Sequence, residues 1–158
     1  MNTTITENTI LLSKKGMKEL KKAVIQLEHD HQKALRSLRE LDKTSDREGH
    51  LARIDKLSVV EGIEIELDEK KLVLSSAKLL PAKRTRLQVA IGSIVDLIDK
   101  RGHLFRYMIV DSVEANPSDG RISTASPLGR SLIGRTVKDT IQLNNGKHFN
   151  QFQLVRIA

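Results

Sequence analysis

The chain has 158 residues, a formal net charge of +7 and no cysteine. The missing cysteine excludes a disulfide framework and thiolate chemistry, and 3% aromatic residues predict an aliphatic core without a stacking platform for single strands. The charge predicts an anionic partner, either nucleic acid or an acidic protein. No apolar run reaches the roughly 20 residues of a membrane span. Residues 1–7 lack the features of a signal peptide, so we expect a short flexible leader in a cytoplasmic protein that does not contact a membrane.

Residues 12–77 predict two long helices that fold back on each other as an antiparallel hairpin. In the first helix, apolar positions recur in alternating steps of three and four, which keeps one stripe against a partner helix. The members of this heptad seam are Met17, Leu20, Val24, Leu27, His31, Ala34, Leu38 and Leu41. Ser13 is a suitable N-cap for this helix. A polar stretch at 42–49 forms the predicted tip.

The second helix is predicted from about Glu48 to Ala77, with a less regular seam. Its apolar members are Leu51, Ile54, Leu57, Val60, Ile63, Leu67, Leu74 and Ala77. Arg53, Lys56 and Lys70 interrupt this seam, and its phase slips between Leu57 and Val60. Residues 63–67 also alternate like a strand, but the heptad spacing continues beyond them, so we predict a helix.

A second domain is predicted at 87–158, after a hairpin domain at 1–80 and a linker at 81–86. Pro81 disfavours helix at Leu80, and from residue 87 the apolar period changes to two. Strands are predicted at 94–98, 104–110, 121–125, 140–143 and 149–157. Ser126 and Pro127 are typical of the N-cap and first position of a short helix over 128–133. The fold class is therefore α+β: an antiparallel α-helical hairpin followed by a small antiparallel sheet domain with one short helix.

The sequence contains no triad of Ser, His and Asp, no phosphate-binding glycine loop and no zinc-ligand spacing. An enzyme with its own complete active site is therefore not expected. Near the tip, Asp46 and Glu48 precede or open the second helix, where acidic side chains are stabilised by the helix dipole. That structural role is an alternative to any role in binding a metal ion.

Several motifs resemble the GreA/GreB family of bacterial transcription elongation factors, over nearly the whole chain. The segment 122–134, ISTASPLGRSLIG, is similar to the family's "IS…SP…ALIG" signature, and 92–97, GSIVDL, is similar to its opening strand. The segment 12–20, LSKKGMKEL, resembles the start of the family's first helix, and Glu61-Gly62 matches an "EG" of the second. Val137, Lys138 and Asp139 match the end of the signature, except that the family usually has glycine where this chain has Lys138.

The resemblance implies an accessory factor whose second domain is FKBP-like and docks on bacterial RNA polymerase. It implies a polymerase contact at Ser126, Pro127, Leu128, Arg130, Leu132, Ile133 and Gly134. The hairpin would enter the secondary channel of the polymerase and bring its tip to the active site, where two tip acids help hold a Mg²⁺ ion and a water. The polymerase then hydrolyses its own backtracked transcript. No cofactor of the chain's own is implied, only the Mg²⁺ of the polymerase.

The tip departs from the family pattern, which has Asp and Glu three residues apart, followed by Asn. An ungapped alignment places Lys43, Asp46 and Arg47 at these positions. We predict Asp46 as the metal-assisting acid, with Asp42 and Glu48 as alternative second ligands, while Lys43 and Arg47 would repel Mg²⁺. Two functions therefore remain: a Gre-like factor acting on paused or backtracked complexes, or a polymerase-binding inhibitor or competitor without cleavage activity.

A basic patch on the first helix is the remaining candidate site. It consists of Lys18, Lys22, Lys33 and Arg36, and the resemblance implies that it contacts RNA in the elongation complex. The alternative is an ordinary solvated helix face. We expect a monomer whose partners are RNA polymerase and the nascent RNA and DNA of that complex.

Overall fold

The computed structural model describes residues 9–43, 46–81, 86–144, 146 and 148–158. The predicted leader at 1–7, two tip residues at 44–45 and the linker residues 82–85 lie outside the described part. Contacts divide the chain into two compact units, one comprising Met17–Ala77 and the other Thr9–Gly16 with Lys78–Ala158. The proposed linker at 81–86 stays a prediction.

Two long helices form an antiparallel hairpin, as predicted. Helix α1 spans Lys14–Leu41 and helix α2 spans Arg47–Ser76. Every member of the α1 seam is buried or half-buried, with Leu20, Val24 and Ala34 at most 9% exposed. Polar contacts cross between the helices in antiparallel order: a Glu28–Lys71 ion pair at 3.0 Å, a His31–Glu64 hydrogen bond at 2.9 Å and an Asp42–Arg53 ion pair at 2.7 Å.

The seam of α2 is apolar only in the half away from the tip. Val60 and Leu67 are buried, whereas Leu51, Ile54 and Leu57 are 56%, 53% and 45% exposed, so their prediction as seam residues was wrong. The cause is the phase slip between Leu57 and Val60, because heptad spacing counted back from Val60 arrives at Lys56 and Arg53. The helix runs without interruption through 63–67, which confirms helix over strand there.

A small two-stranded sheet at the ends of the helices was not predicted. Strand β1 (Ile10–Leu12) precedes α1, and strand β2 (Ala77–Leu79) follows α2. The backbone N–H of Leu80 donates to the carbonyl of Leu12 at 2.8 Å, and Leu12 is 1% exposed. Three-residue strands are too short to produce an alternating pattern in the sequence.

The C-terminal unit contains a five-stranded sheet with one short helix, as predicted. Its elements are β3 (Ile94–Asp99), β4 (Leu104–Val110), a 3-10 turn (Pro117–Asp119), β5 (Arg121–Ser123), α3 (Pro127–Leu132), β6 (Thr140–Asn144) and β7 (Phe149–Ile157). The strand order is β5-β4-β3-β7-β6. All neighbours are antiparallel except β4 and β5, which pair in parallel. The aliphatic core consists of Val89, Val95, Leu97, Ile109, Leu132, Ile141, Leu154 and Ile157.

Lys138 has a left-handed backbone with a φ of +79°, which no other non-glycine residue of the described ranges shows. Its N–H donates to the carbonyl of Leu154 at 2.8 Å, so this conformation connects the loop to β7. A left-handed backbone at a residue with a Cβ costs roughly 1–2 kcal/mol, and glycine avoids that strain. The conformation therefore explains why a Gre-like pattern has glycine at this position.

Glu114 is a buried carboxylate that joins the start of α1 to the loop before β5. It accepts hydrogen bonds from the backbone N–H of Ser13 at 3.0 Å and from the Ser13 hydroxyl, and Arg121 lies 3.6 Å away. The Ser13 hydroxyl in turn accepts from the N–H of Gly16 at 3.0 Å, which makes Ser13 the predicted N-cap. A Cβ at Gly16 would lie 2.4 Å from the Glu114 carboxyl carbon, so a larger residue there would displace the Glu114 carboxylate from its contacts.

Asp96 is the second buried acid of this unit, and it lies in the middle of β3. The Arg106 guanidinium donates to both carboxylate oxygens, at 2.7 and 3.1 Å, and Arg156 is its neighbour on β7. The hydrogen bonds from Arg106 hold the pKa of Asp96 below its usual value. The charge is therefore balanced by cations on both adjacent strands.

We expect Glu114→Ala to lower the free energy of unfolding by about 2 kcal/mol, because the Ser13 N–H and hydroxyl lose their acceptor and the mostly buried Arg121 guanidinium keeps Asp119 but loses its second carboxylate. Chemical denaturation measures this change. The control is Glu61→Ala on an exposed position of α2, where about 0.5 kcal/mol or less is expected. Equal effects of the two substitutions would contradict the role given to Glu114.

We expect the Asp96 ion pair to contribute its full stability above about pH 4, where the carboxyl is ionised in the unfolded chain as well. Because the folded pKa is lowered, this contribution is lost as the pH falls through it. Denaturation from pH 7 to pH 2 should show wild type losing more stability than Asp96→Asn on acidification. Asp55→Asn, at an exposed position, should run parallel to wild type. If the stability of Asp96→Asn fell with pH in parallel with that of wild type, the Asp96–Arg106 pair would be excluded as the source of the acid sensitivity.

Candidate functional site

The three predicted tip acids lie at the end of the hairpin, on either side of residues 44–45. Asp42 immediately follows α1, Asp46 is the N-cap of α2, and Glu48 lies in the first turn of α2. All three are exposed, as is Lys43. The three acids are thus accessible to a binding partner, although each forms different contacts within the hairpin.

Two of the tip acids form contacts within the hairpin. The Asp42 carboxylate pairs with the Arg53 guanidinium at 2.7 Å. The Asp46 carboxylate accepts the Gly49 N–H at 2.8 Å, which satisfies one of the free donors at the start of α2. Glu48 stabilises the same helix end through the helix dipole. The structural alternative suggested by the sequence therefore describes Asp46 correctly.

These acids fit the addition of one or two oxygens to an ion held elsewhere rather than a complete metal site. Within the described ranges, no three His, Cys, Asp or Glu side chains come together in a way that could hold a metal ion. Mg²⁺ prefers near-octahedral oxygen coordination with several waters, so one or two added carboxylates suffice when other ligands are supplied by a partner. The assignment of Asp46, Asp42 and Glu48 to a shared Mg²⁺ stays a prediction.

Arg53 is a tip residue whose role sequence reasoning missed. It was interpreted only as an interruption of the α2 seam, although it forms the cross-helix pair with Asp42. A cation at a seam position opposite an acid at the end of the other helix is the signal that could have identified it.

The residues of the predicted polymerase contact form α3 and its two ends. Ser126 is the N-cap of α3: its hydroxyl accepts the Gly129 N–H at 3.0 Å and donates to the Ser123 carbonyl at 2.7 Å. A Cβ at Gly129 would lie 1.9 Å from the Ser123 oxygen, so only glycine fits. These two signature residues therefore shape the helix and its turn.

Exposure divides the predicted contact residues into two sets. Pro127, Arg130, Ile133 and Gly134 are exposed. Leu132 is fully buried in the core, so its side chain contacts the sheet and is not available to a partner, which corrects its assignment as a contact residue. Leu128 is half-buried against the same core. The exposed set remains the candidate docking surface.

The predicted basic patch lies on one face of α1. Lys18, Lys22, Lys33 and Arg36 are all exposed, and at 100° per residue they fall within about 60° of one another. His29 lies on the same face and, with Gln32, Lys33 and Arg36, lines a shallow groove of about 290 Å³. The four cations therefore form a basic stripe on one face of α1, in two pairs separated by Ile25 and His29, and contact with RNA stays a prediction.

The described helices include none that is long and apolar enough to cross a membrane.

A family model described as the C-terminal part of transcription elongation factor GreA/GreB matches residues 84–158. Transcription elongation factor GreA of Chlorobium phaeobacteroides is 32% identical over 156 residues, which cover 94% of this chain and 96% of that protein.

A relative with a different name is about equally similar. Transcription inhibitor protein Gfh1 of Thermus aquaticus is 30% identical over 151 residues, covering 94% of this chain and 96% of that protein. The crystal structure of GreA factor homolog 1 (Gfh1) of Thermus thermophilus is 27% identical, covers 96% of this chain and 99% of that one, and has a TM-score of 0.44. With a GreA relative at 32% identity along nearly its whole length, the chain belongs to the GreA/GreB family of transcription factors.

Proposed function

We propose that this chain binds bacterial RNA polymerase through the exposed residues of α3 and acts on paused or backtracked complexes, with weak or absent stimulation of transcript cleavage. The chain itself is an accessory factor in this proposal, and any RNA hydrolysis occurs in the polymerase active site with the Mg²⁺ of the polymerase. Membership of the GreA/GreB family supports the partner. The contacts that Asp42 and Asp46 form within the hairpin support weak or absent stimulation of cleavage.

The observation that carries this proposal is the engagement of Asp42 and Asp46 within the hairpin. The Arg53 guanidinium holds Oδ1 of Asp42 and offsets its charge, and the Gly49 N–H holds Oδ1 of Asp46. Each contact orients its carboxylate and withdraws charge from it, which weakens metal binding through the second oxygen. Among the described residues, Glu48 is the one tip acid for which no such contact is found, and a single carboxylate helps less than two.

Lys43 adds an electrostatic penalty beside these acids. Two unit charges 4 Å apart interact by roughly 4 kcal/mol at an effective dielectric constant of 20, and the repulsion is larger for a divalent ion. The side chain of Lys43 is exposed and long enough to turn away, so the actual penalty is smaller. A positive charge still stands where the family pattern has a ligand.

An inhibitory role is the second candidate, and two observations favour it. A relative at 30% identity is named as a transcription inhibitor, and the tip of this chain lacks the acid spacing of the family's cleavage factors. In this version the chain occupies the same polymerase site as true Gre factors and competes with them. A tip that enters the polymerase but supplies too few ligands to the Mg²⁺ ion would produce such competition without cleavage.

One prediction of the proposed function concerns the tip. The measurement is the release of short 3′ RNA from backtracked complexes of the cognate polymerase. Wild type should release little RNA. Lys43→Asp should raise the rate about tenfold, which corresponds to about 1.4 kcal/mol of barrier, because it replaces a repelling charge with a ligand. Arg53→Met in the same background should raise it further, since Asp42 is then no longer paired.

The control distinguishes a metal-binding role of the Asp46 carboxylate from its structural role as the N-cap of α2. Asn is as good an N-cap as Asp, so Asp46→Asn preserves α2 but removes the charge, whereas Asp46→Ala also costs about 1 kcal/mol of helix stability. Both should abolish residual cleavage while polymerase binding persists. Robust cleavage by wild type that survives Asp46→Asn would contradict the tip assignment, and absence of polymerase binding would contradict the proposed function. Binding without any gain from Lys43→Asp would favour the inhibitor.

The second prediction concerns the basic stripe, which we propose contacts RNA. The double variant Lys33→Ala with Arg36→Ala should weaken crosslinking to extruded RNA. It should also flatten the salt dependence, by about 0.7 in the log–log slope for each lost phosphate contact. The matched control is Lys21→Ala with Arg39→Ala, two cations of α1 about 90° from the middle of the stripe. Equal losses in the two double variants would indicate a general charge effect.

A further inference from the structure

A surface groove of about 570 Å³ lies beside α3, outside the residues that the sequence assigned to docking. Its lining consists of Arg86, Leu87, Gln88, Thr136 and Val137. Two backbone hydrogen bonds hold its walls together: the Val89 N–H donates to the Arg135 carbonyl at 2.9 Å, and the Gly134 N–H donates to the Val89 carbonyl at 2.8 Å. The groove is therefore built into the fold, immediately after α3.

Apolar side chains of the groove and its margin are unusually exposed. Leu87 is 80% exposed, and Ile133 and Val137 are 42% and 41% exposed. A single exposed leucine is ordinary on a protein surface. A cluster of aliphatic side chains around one groove is typical of a surface that binds another molecule.

The rim of the groove is basic. Arg86, Arg135 and Lys138 are exposed around it. Asp139 is the acid of the adjoining loop, and its carboxylate accepts hydrogen bonds from the N–H and the hydroxyl of Thr136, at 2.8 and 3.1 Å. Asp139 also interacts with Arg135, whose Nε donates to the Ser131 carbonyl at 3.1 Å, so the rim carries three cations against one acid and is net positive.

Lys138 provides an independent observation at the same place. Its backbone is left-handed, with a φ of +79°, and its side chain is exposed, so no packing of that side chain offsets the strain. Strained backbone at residues other than glycine concentrates at functional sites. A lysine at a position where glycine would be more stable indicates that the Lys138 side chain contacts another molecule.

We infer that this groove docks an acidic protein segment that carries apolar side chains, and that Lys138 determines specificity for it. The inference rests on the proposed function, since it extends the polymerase-docking surface from α3 to 86–88 and 136–138. The lining favours protein over nucleic acid because its apolar members, Leu87 and Val137, are aliphatic and it contains no aromatic ring for stacking bases. The phenylalanines Phe105, Phe149 and Phe152 line a different groove, by the turn between β3 and β4.

The test measures stability and polymerase affinity on the full-length chain. Lys138→Gly should raise the melting temperature by about 4 °C through relief of strain, yet weaken binding about fivefold, most clearly at low salt. Leu87→Ser should weaken binding about tenfold with no loss of stability, because the side chain is exposed. The matched control is Leu104→Ser, an exposed leucine of β4 at 61%, which should change affinity less than twofold.

A gain in stability combined with a loss of affinity is a result that damage to the fold cannot produce. If Lys138→Gly and Leu87→Ser bind like wild type while Arg130→Ala binds more weakly, the inference is overturned and the proposed function stands. If wild type does not bind polymerase, both are overturned. If Leu87→Ser is without effect but single-stranded RNA binds wild type and not Lys138→Gly, the groove is a nucleic-acid site and the inference is also overturned.

Discussion

The apolar seam between α1 and α2 is the constraint on which the hairpin depends. Its buried members on α2 are Val60 and Leu67, and heptad spacing toward the tip then arrives at Lys56 and Arg53. The tip-proximal end must therefore be held by polar contacts, and the Asp42–Arg53 pair and the Asp46 cap are the contacts found there. An acid that holds the hairpin together is less available to a metal ion, so the composition of the seam limits the chemistry of the tip.

Elements with long periodic patterns could be predicted from the sequence, and elements fixed by a few residues could not. The seam of α1 and the N-cap at Ser126 were predicted correctly because spacing and cap chemistry are local. Strands β1 and β2 were missed because three residues carry no period. The buried role of Glu114 was also missed, since its partner Ser13 is 101 residues away in sequence. Lys138 was noticed only as a departure from glycine, and its positive φ gives that departure a physical meaning.

The candidate site shows the same division between local and distant information. The sequence located the tip acids and suggested that Asp46 and Glu48 stabilise the positive end of α2, but it could not show that Asp46 is the N-cap or that Asp42 pairs with Arg53. It also assigned Leu132 to docking, because a signature does not distinguish residues that shape a helix from residues that contact a partner. Similarity to relatives does not decide the function either. The named elongation factor and the named inhibitor are 32% and 30% identical to this chain, so the two proposed functions differ in what they require of the tip and not in overall similarity.

The tip and the loop after α3, the two surfaces proposed to be functional, balance stability against function in opposite ways. At the tip, the acids form contacts that stabilise the hairpin, and a free pair of carboxylates would sacrifice those contacts. At the loop after α3, Lys138 keeps a side chain on a backbone that glycine would adopt without strain. Stability is thus favoured where metal chemistry would occur and given up where a partner would dock. This pattern is what we expect of a factor that must bind its partner well but need not supply a complete set of metal ligands.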